Sequence, residues 1–189
     1  MSELKYSIKI LTRQHFCVNI KDMLIKKDNL TIRPAEASDA SLLGAWWRDS
    51  LIAAEWGCTQ NLTISDEKVE KQILSCSDDS FRLLIIEIGG KPSGEMNYHN
   101  MGGGIAQIGI NICDFSMRNK GYGTELLLML TEKLFKEKGF TRVILEVDVK
   151  NAPARRAYEK AGFREKKIRH DNSVAEYELI NNYSATSNL

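Results

Sequence analysis

The sequence predicts a mixed α/β fold in which a largely antiparallel central sheet is flanked by helices. Two observations lead to this fold class. Short apolar runs separated by turn residues dominate residues 81–112, and a longer apolar run over 121–138 has the period of a helix. The order of elements is mostly antiparallel strands, then strand–helix–strand, then a helix and a hairpin, which is typical of a layered α/β domain.

The first well-defined element is a short strand over residues 29–34, closed by Pro34. We therefore expect the folded domain to occupy residues 29–182, with an N-terminal extension of uncertain structure at 1–28 and a C-terminal tail at 183–189. Within the extension, apolar residues alternate from Ile8 to Ile20. That alternation is compatible with a short strand.

Apolar spacing, capping residues and turn residues predict the remaining elements in order. Four helices are expected. The first is capped by Ser38 or Asp39 and has Leu42, Leu43 and Trp46 on its apolar face, and the second runs from Asp66 to about Cys76. The third is long, over 121–138, with Leu127, Leu130 and Leu134 in one stripe, and the fourth is short and capped by Asn151. The expected strands are Phe81–Ile88, Ser93–Tyr98, Ile105–Ile112, Val143–Val149, Phe163–His170 and Val174–Ile180, with turns at Gly89–Pro92 and Asp171–Asn172.

Composition and charge limit the classes of partner. The formal net charge is +1, which gives no global electrostatic argument for nucleic acid or an anionic membrane. The longest apolar stretch, Leu126–Leu130, is far too short to cross a bilayer. Because no apolar signal core follows Met1, we expect a cytoplasmic protein.

The cysteines give no sign of a metal site or a disulfide framework. None of the four forms a C-x-x-C pair, and the chain has three histidines to join them. We therefore expect reduced thiols and no metal. The cysteines are Cys17, Cys58, Cys76 and Cys113.

The sharpest functional signal is the segment between the strand that ends at Ile112 and the long helix. It has the pattern R-x-x-G-x-G, with Arg118 and Lys120 adding positive charge. First-turn N–H groups of a helix lack internal partners, and glycine lets the backbone approach a phosphate closely. We expect a diphosphate cradle here. Its candidate residues are Phe115, Ser116, Met117, Arg118, Asn119, Lys120, Gly121, Tyr122, Gly123 and Thr124.

A second motif, thirty residues further on, gives the cradle its context. The sequence N-A-P-A-R-R-A-Y-E-K-A-G-F begins at Asn151 and contains Tyr158. The R-N-K-G-Y-G loop and this motif together resemble the acyl-CoA pyrophosphate loop and the C-terminal helix-and-turn motif of the GNAT superfamily of N-acetyltransferases. The resemblance covers about 29–180. It implies a GNAT-type fold, acetyl-CoA as the acyl donor, and direct transfer of an acetyl group to a primary amine.

The resemblance also implies roles for individual residues. Tyr158 occupies the position of the family's tyrosine, which in many members faces the CoA sulfur, so it is the candidate general acid. Asn151 is expected to cap its helix and to reach CoA. Glu146 lies twelve residues before Tyr158, a spacing similar to the glutamate–tyrosine pair of the ribosomal-protein N-terminal acetyltransferases. Glu146 is therefore the candidate base.

One departure from the family's pattern affects the base. Histone-type members place a glutamate on the strand before the loop, and Gln107 occupies that position here. Glutamine cannot act as a base. The base is then Glu146, or a water held by Asn111, Asp114 or Glu95.

The acceptor side is the least defined part of the site. Candidate substrate-binding residues are Trp47, Glu55, Trp56 and Glu95, whose acidic and aromatic groups suit a cationic amine. Trp46 has the helical spacing of a core residue instead. The layout resembles the branch with ribosomal-protein, polyamine and some aminoglycoside acetyltransferases, so the acceptor is a small-molecule amine or a protein N-terminal amine. The sequence leaves a homodimer open.

Two alternatives belong to other classes. The first is a catalytically silent acyl-CoA-binding module that regulates a partner; the intact loop and Tyr158 argue against it. The second is a nucleic-acid binder that uses the charge run at Lys166, Lys167, Arg169 and His170. That run is more typical of a solvated hairpin face, and the near-neutral charge of the chain weakens the second alternative.

Overall fold

The computed structural model describes residues 23–55, 63–76, 80–169 and 171–182. The helices are α1 (Ala40–Arg48), α2 (Ser50–Glu55), α3 (Asp66–Ser75), α4 (Tyr122–Lys136) and α5 (Ala152–Lys160). The strands are β1 (Ile25–Lys27), β2 (Leu30–Pro34), β3 (Phe81–Ile88), β4 (Lys91–Gly102), β5 (Ile105–Ile112), β6 (Arg142–Asp148), β7 (Arg164–Ile168) and β8 (Val174–Ile180).

The strands form one mixed sheet in the order β1-β2-β3-β4-β5-β6-β8-β7. Neighbouring strands are antiparallel except for β5 and β6, which are parallel and joined through α4. The predicted fold class, a largely antiparallel sheet flanked by helices, is confirmed. A parallel pair brings the carboxyl ends of two strands to one edge of the sheet, and this edge carries the site.

Helices cover both faces of the sheet, and each face has its own core. On one face α4 buries Leu127, Leu130 and Leu134, as the sequence stripe predicts, and α5 packs beside it. On the other face α1 and α3 pack on β3 through residues such as Leu43, Val69 and Ile85. We call these the α4 face and the α1 face. Alternate residues of each strand point to one or the other.

The structure adjusts two predicted boundaries at the start of the sheet. Strand β1 pairs with β2, so the sheet begins at Ile25, before the expected domain start at Asn29. Strand β4 begins at Lys91, and the turn is reduced to Gly89 and Gly90, both with positive φ. Pro92 fits inside β4 because pairing with β5 starts only at Gly94, so Pro92 has a strand on one side. The alternation between Ile8 and Ile20 lies outside the described residues.

Asp39, one of the two expected caps of the first helix, bonds to Arg33 and not to that helix. Asp39 precedes α1, but its side chain does not bond to the first turn of that helix. Its carboxylate accepts from Arg33 at 2.7 and 2.9 Å and from the Glu36 backbone N–H at 2.8 Å. The guanidinium of Arg33 lowers the pKa of Asp39 against the opposing effect of burial. Asp39 therefore links β2 to the start of α1.

Candidate functional site

The carboxyl-terminal halves of β5 and β6 separate from each other. Their pairing begins at Ile105↔Arg142 and ends at Gln107↔Ile144. Strand β5 nevertheless continues to Ile112 and β6 to Asp148. The separation leaves a cleft in the middle of the sheet, and the backbone N–H and C=O groups along its walls are not used in pairing between these two strands.

The glycine-containing loop lies at the mouth of this cleft, between β5 and α4. Asn119 and Gly121 both have left-handed backbone conformations, with φ of 60° and 88°. Gly121 caps α4 without a side chain, so the first-turn N–H groups are not covered from that position. A Cβ added at Gly123 would approach only Ile112 Cδ1, at 3.9 Å. The loop is therefore open for close approach of an anion.

A short 3₁₀ turn, Phe115–Met117, connects β5 to the loop and is closed by Asp114. The Asp114 carboxylate accepts from the Ser116 backbone N–H at 2.9 Å and from Ser116 Oγ at 2.7 Å. These hydrogen bonds lower the pKa of Asp114. Asp114, one of the expected holders of a catalytic water, thus has a structural role in this turn.

Arg118 braces the loop against the end of β5. Its Nε donates to the Ile112 carbonyl oxygen at 2.7 Å, and its terminal nitrogen donates to Asn111 Oδ1 at 3.3 Å. The guanidinium also lies 4.1 Å from the ring centroid of Phe115. Its charge is therefore directed to protein groups, and the exposed Lys120 is the basic side chain of the loop that faces solvent.

Other cradle residues contribute to the walls. Met117 and Tyr122 are half-buried and pack against the core of the α4 face. Thr124 Oγ1 donates to the Ala157 carbonyl oxygen at 3.4 Å, which ties the first turn of α4 to α5. Asn151 caps α5 as the sequence predicts, with Oδ1 accepting from the Ala154 N–H at 3.2 Å. Because β6 leads directly to this cap, Asn151 lies at the carboxyl end of the second cleft strand.

Tyr158 is buried in α5 on the α4 face and is 7% exposed. Its ring contacts Tyr177 edge-on at 5.8 Å between centroids and Phe163 at 6.3 Å. Tyr158 thus packs as a core aromatic of the α4 face. Burial, the largest cause, and Tyr177 raise the pKa of Tyr158 to about 12, so the hydroxyl keeps its proton at neutral pH.

Tyr177 fixes the packing of Tyr158, although the sequence pattern indicated only that Tyr177 lies on a strand. Its ring is fully buried, and its hydroxyl accepts from Arg155 Nε at 3.0 Å and donates to Glu159 at 3.2 Å. Arg155 in turn pairs with Glu165 at 2.9 Å. These bonds join α5 to β8 and hold the helix segment that presents Tyr158.

Glu146 lies on β6 with its side chain on the α1 face, because its neighbours Leu145 and Val147 belong to the core of the α4 face. Its carboxylate pairs with Arg169 at 2.7 Å. Glu146 and Tyr158 therefore lie on opposite faces of the sheet. As a base, Glu146 would have to act beside a guanidinium that already holds it.

Glu95 is the most deeply buried acid of the region. It lies on β4, is 2% exposed, and shares the α1 face with its cross-strand neighbour Ile85. Trp47 Nε1 of α1 donates to both carboxylate oxygens, at 3.0 and 2.9 Å. Burial raises the pKa of Glu95 to about 7, and the Trp47 hydrogen bond opposes the rise. The structure thus brings together two of the expected acceptor residues, Trp47 and Glu95.

Asn111 lies directly opposite Glu95 on β5 and points to the same face. Arg118 donates to its Oδ1, so its Nδ2 is directed away from Arg118. Nδ2 is buried and has no hydrogen-bond partner within the described ranges. Gly94 permits this close approach of β4 to β5, because a Cβ there would lie 2.2 Å from the Asn111 carbonyl oxygen.

The remaining acceptor candidates are only partly described. Trp46 packs against the core of the α1 face, as its spacing predicts. Glu55 ends α2, and Trp56 lies outside the described residues. Gln107 is half-buried on β5, on the same face as Glu95 and Asn111.

The ranges 23–55, 63–76, 80–169 and 171–182 contain no cluster of three or more metal-ligating side chains. In the same ranges no helix has the length and apolarity needed to span a membrane. The basic side chains on which the nucleic-acid alternative depends form ion pairs within the protein. Lys166 pairs with Glu178 at 3.1 Å, Lys167 with Glu176 at 3.2 Å, and Arg169 with Glu146. His170 lies outside the described residues.

Comparison with known proteins places this geometry in a family. The family model described as an acetyltransferase (GNAT) domain matches residues 29–164. An aminoglycoside N(6')-acetyltransferase type 1 from Klebsiella pneumoniae is 29% identical over 151 residues, which cover 72% of this chain and 74% of the relative.

Solved structures share the fold. An aminoglycoside acetyltransferase, AAC(6')-Ib, in complex with coenzyme A and kanamycin superposes with a TM-score of 0.68 at 23% identity, covering 83% of this chain and 98% of the other. Spermidine N-acetyltransferase from Vibrio cholerae, in complex with CoA and spermine, gives a TM-score of 0.72 at 20% identity and covers 80% and 95% of the two chains.

Proposed function

This chain belongs to the GNAT acetyltransferase family, and we propose that it moves an acetyl group from acetyl-CoA to a primary amine of a small, positively charged molecule. The observation that carries the proposal is the cleft between β5 and β6, whose pairing stops at Gln107↔Ile144 beneath the glycine-capped start of α4. A helix start binds a diphosphate, and an unpaired strand edge binds an extended amide-containing arm. Acetyl-CoA contains both groups.

The donor would lie with its diphosphate at the Asn119–Gly123 loop and its thioester in the cleft. Lys120 supplies charge at the loop, and the first-turn N–H groups of α4 supply directed donors. Arg118 holds the loop in shape through its bonds to the end of β5. Those N–H groups of Ile108–Ile112 that point into the cleft, and not toward β4, would polarise the thioester carbonyl.

The chemistry would be direct attack of the amine nitrogen on the thioester carbon. As the C–N bond forms, the C–S bond breaks, and the sulfur takes a proton from the Tyr158 hydroxyl. Because the pKa of Tyr158 is about 12, its hydroxyl is protonated at neutral pH and available as the acid. The attacking amine must first lose a proton, since an ammonium has no lone pair. Glu146 or a bound water would take that proton.

We place the acid and the acceptor-binding residues on opposite faces of the sheet. Tyr158 lies on the α4 face, whereas Trp47, Glu95 and Glu146 lie on the α1 face. An acceptor amine that arrives on the α1 face would reach the thioester from the side opposite to the acid. The departing sulfur would then face Tyr158.

The acceptor class rests on the relatives and on charge. The relatives are named for aminoglycosides and spermidine, both molecules with several amines. A buried carboxylate and a tryptophan on the α1 face suit such a cation. A protein N-terminal amine is the other acceptor that the same surface could take.

A panel of amines with acetyl-CoA tests the proposal. Kanamycin, spermidine and a peptide with a free N-terminus are incubated with the protein, and thiol release is followed. We expect release with kanamycin or spermidine and a new N-acetyl group in the product by mass spectrometry. Acetyl-CoA binding with no thiol release for any amine would instead support the silent acyl-CoA-binding module.

A further inference from the structure

A buried polar group on the α1 face is not used by the fold. Trp47 donates the hydrogen bond that reaches the Glu95 carboxylate, and Asn111 Nδ2, across the strand pair, is buried without a partner in the described part of the chain. Buried polar groups are normally hydrogen-bonded, because an unpaired one costs about 1–3 kcal/mol. A buried amide N–H without a partner, directly across the strand pair from a buried carboxylate, indicates a binding position for a small polar molecule.

We propose that Glu95 is the base of the reaction and takes the proton of the acceptor ammonium through one water held by Asn111. The inference rests on the proposed function, which leaves the base open. Asn111 Nδ2 donates to the water, and the water donates to the Glu95 carboxylate. The second lone pair of the water accepts from the ammonium of the acceptor.

Protons balance in this arrangement. One ammonium proton passes to the water as the water gives one of its own to Glu95, and the amine is left neutral. The amine nitrogen then attacks the thioester carbon, and the proton that it sheds as the C–S bond breaks is released to solvent. Tyr158 protonates the sulfur on the other face of the sheet and regains a proton from solvent, and Glu95 gives its proton up to solvent, so one turnover releases one proton in all. No redox partner or metal enters the step.

The charged groups around Glu95 are engaged with other partners, and the Arg118 guanidinium beside Asn111 donates to the Ile112 carbonyl oxygen and to Asn111 Oδ1. Strand β5, on one side, has no titratable residue between Ile105 and Ile112. On β3, the neighbour is Ile85, and Glu87 is held by Arg33 at 2.7 Å. On α1, the charged neighbour of Trp47 is Arg48, which pairs with Asp66 at 2.8 Å.

Burial and Trp47 are therefore the influences on Glu95, and its pKa of about 7 follows from them. A base works best when its pKa lies near the working pH. Glu146, the other candidate, is paired with Arg169 at 2.7 Å, so its carboxylate would have to leave that guanidinium to reach the acceptor.

Arg118, a residue of the donor-binding loop, also positions the side-chain amide of Asn111. Because Arg118 donates to Asn111 Oδ1, the amide cannot exchange the positions of Oδ1 and Nδ2 without breaking that bond. The loop that receives the donor and the group that holds the water are thus joined by one side chain. Loss of the Arg118 guanidinium would release the amide.

The first experiment compares Glu95→Gln with Glu146→Gln, using Glu70→Gln on the exposed side of α3 as a matched control. Glutamine keeps an acceptor for Trp47 but cannot take a proton. We expect kcat/KM with kanamycin or spermidine to fall about 100-fold or more in Glu95→Gln, because base catalysis contributes about 10²–10⁴-fold. Acetyl-CoA affinity should stay within about twofold of wild type.

The pH profile gives a readout that a structural role would not change. Wild-type kcat/KM should rise about tenfold per pH unit below the pKa of Glu95 and level off above it. Glu95→Gln should lose this break, and Trp47→Phe should move it to higher pH because the indole N–H stabilises the carboxylate. An NMR titration of the Trp47 indole N–H in the free protein should report the same pKa.

The outcomes separate the two proposals. A folded Glu95→Gln variant that retains activity and the pH break, or a loss confined to Glu146→Gln, overturns the inference and leaves the proposed function standing. An indole signal that does not titrate between about pH 5.5 and 8.5 overturns it as well, whatever the activity. Absence of thiol release by the wild type with every amine overturns the proposed function and the inference together.

Discussion

The burial of Glu95 has a consequence for stability that can be measured without any substrate. Burial raises its pKa from 4.5 to about 7, so the folded protein binds the Glu95 proton more tightly than the unfolded chain does. The free energy of unfolding must then fall as pH rises between these two values. The stabilising contribution of the Glu95 proton to the free energy of unfolding is complete below about pH 4.5 and lost above about pH 7.

The magnitude follows from the shift itself. One pKa unit corresponds to about 1.36 kcal/mol, and integrating the proton linkage from about pH 5 to about pH 8 gives a loss of about 2.5 kcal/mol from this one group. Other titratable groups of the chain also contribute to the pH dependence of stability. The Glu95→Gln variant retains them but lacks the titrating carboxyl, so the difference between the two proteins isolates Glu95.

Urea unfolding of both proteins at about pH 5 and about pH 8 measures this difference. We expect the stability of Glu95→Gln relative to wild type to improve by about 2.5 kcal/mol between the two pH values, which at a typical urea m-value near 2 kcal/mol/M is a relative midpoint shift of about 1 M. A relative stability that stays constant within about 0.5 kcal/mol would refute the reasoning, because Glu95 would then titrate alike in both states.

Three further substitutions test other parts of the structure. Tyr158→Phe removes the proposed acid but keeps the ring against Tyr177, so thiol release should slow about 100-fold with acetyl-CoA affinity nearly unchanged; isothermal titration and steady-state kinetics separate the two. Gly94→Ala places a Cβ 2.2 Å from the Asn111 carbonyl oxygen and should cost more than about 2 kcal/mol in urea unfolding; an unchanged midpoint would contradict the close approach. Asn151→Ala removes the cap of α5 and should cost about 1 kcal/mol by the same measurement, whereas a neutral result would mean that the cap is not formed.

The sequence predicted the elements whose signals are local. Strands β3 and β5 have the boundaries expected from their apolar runs, and the stripe of α4 is buried as its spacing indicates. The cap at Asn151 depends on a side chain and a backbone N–H three residues apart, so the pattern alone was sufficient. Local periodicity and capping carry this information because the interacting groups are close in sequence.

Contacts between distant residues could not be predicted in this way. The pair of Trp47 and Glu95 joins residues on α1 and β4, and their burial depends on how the helix packs on the sheet. The orientation of Arg118 is a second example: its position in the loop suggested a phosphate contact, whereas the end of β5 offers its guanidinium a carbonyl, an amide and an aromatic ring. Both outcomes follow from tertiary geometry.

The short pairing between β5 and β6 gives the molecule two strand edges inside its own sheet. Amide hydrogens that point into the cleft from the separated parts, Ile108–Ile112 and Leu145–Asp148, lack the cross-strand acceptors that slow exchange with solvent, whereas the others on these strands face β4 or β8. The two halves of the sheet, β1–β5 and β6–β8, are then joined by a narrow band of hydrogen bonds and by α4. A ligand that bridges the cleft would complete the sheet, slow amide exchange on both sides and raise the melting temperature by an amount that grows with the logarithm of its free concentration above Kd.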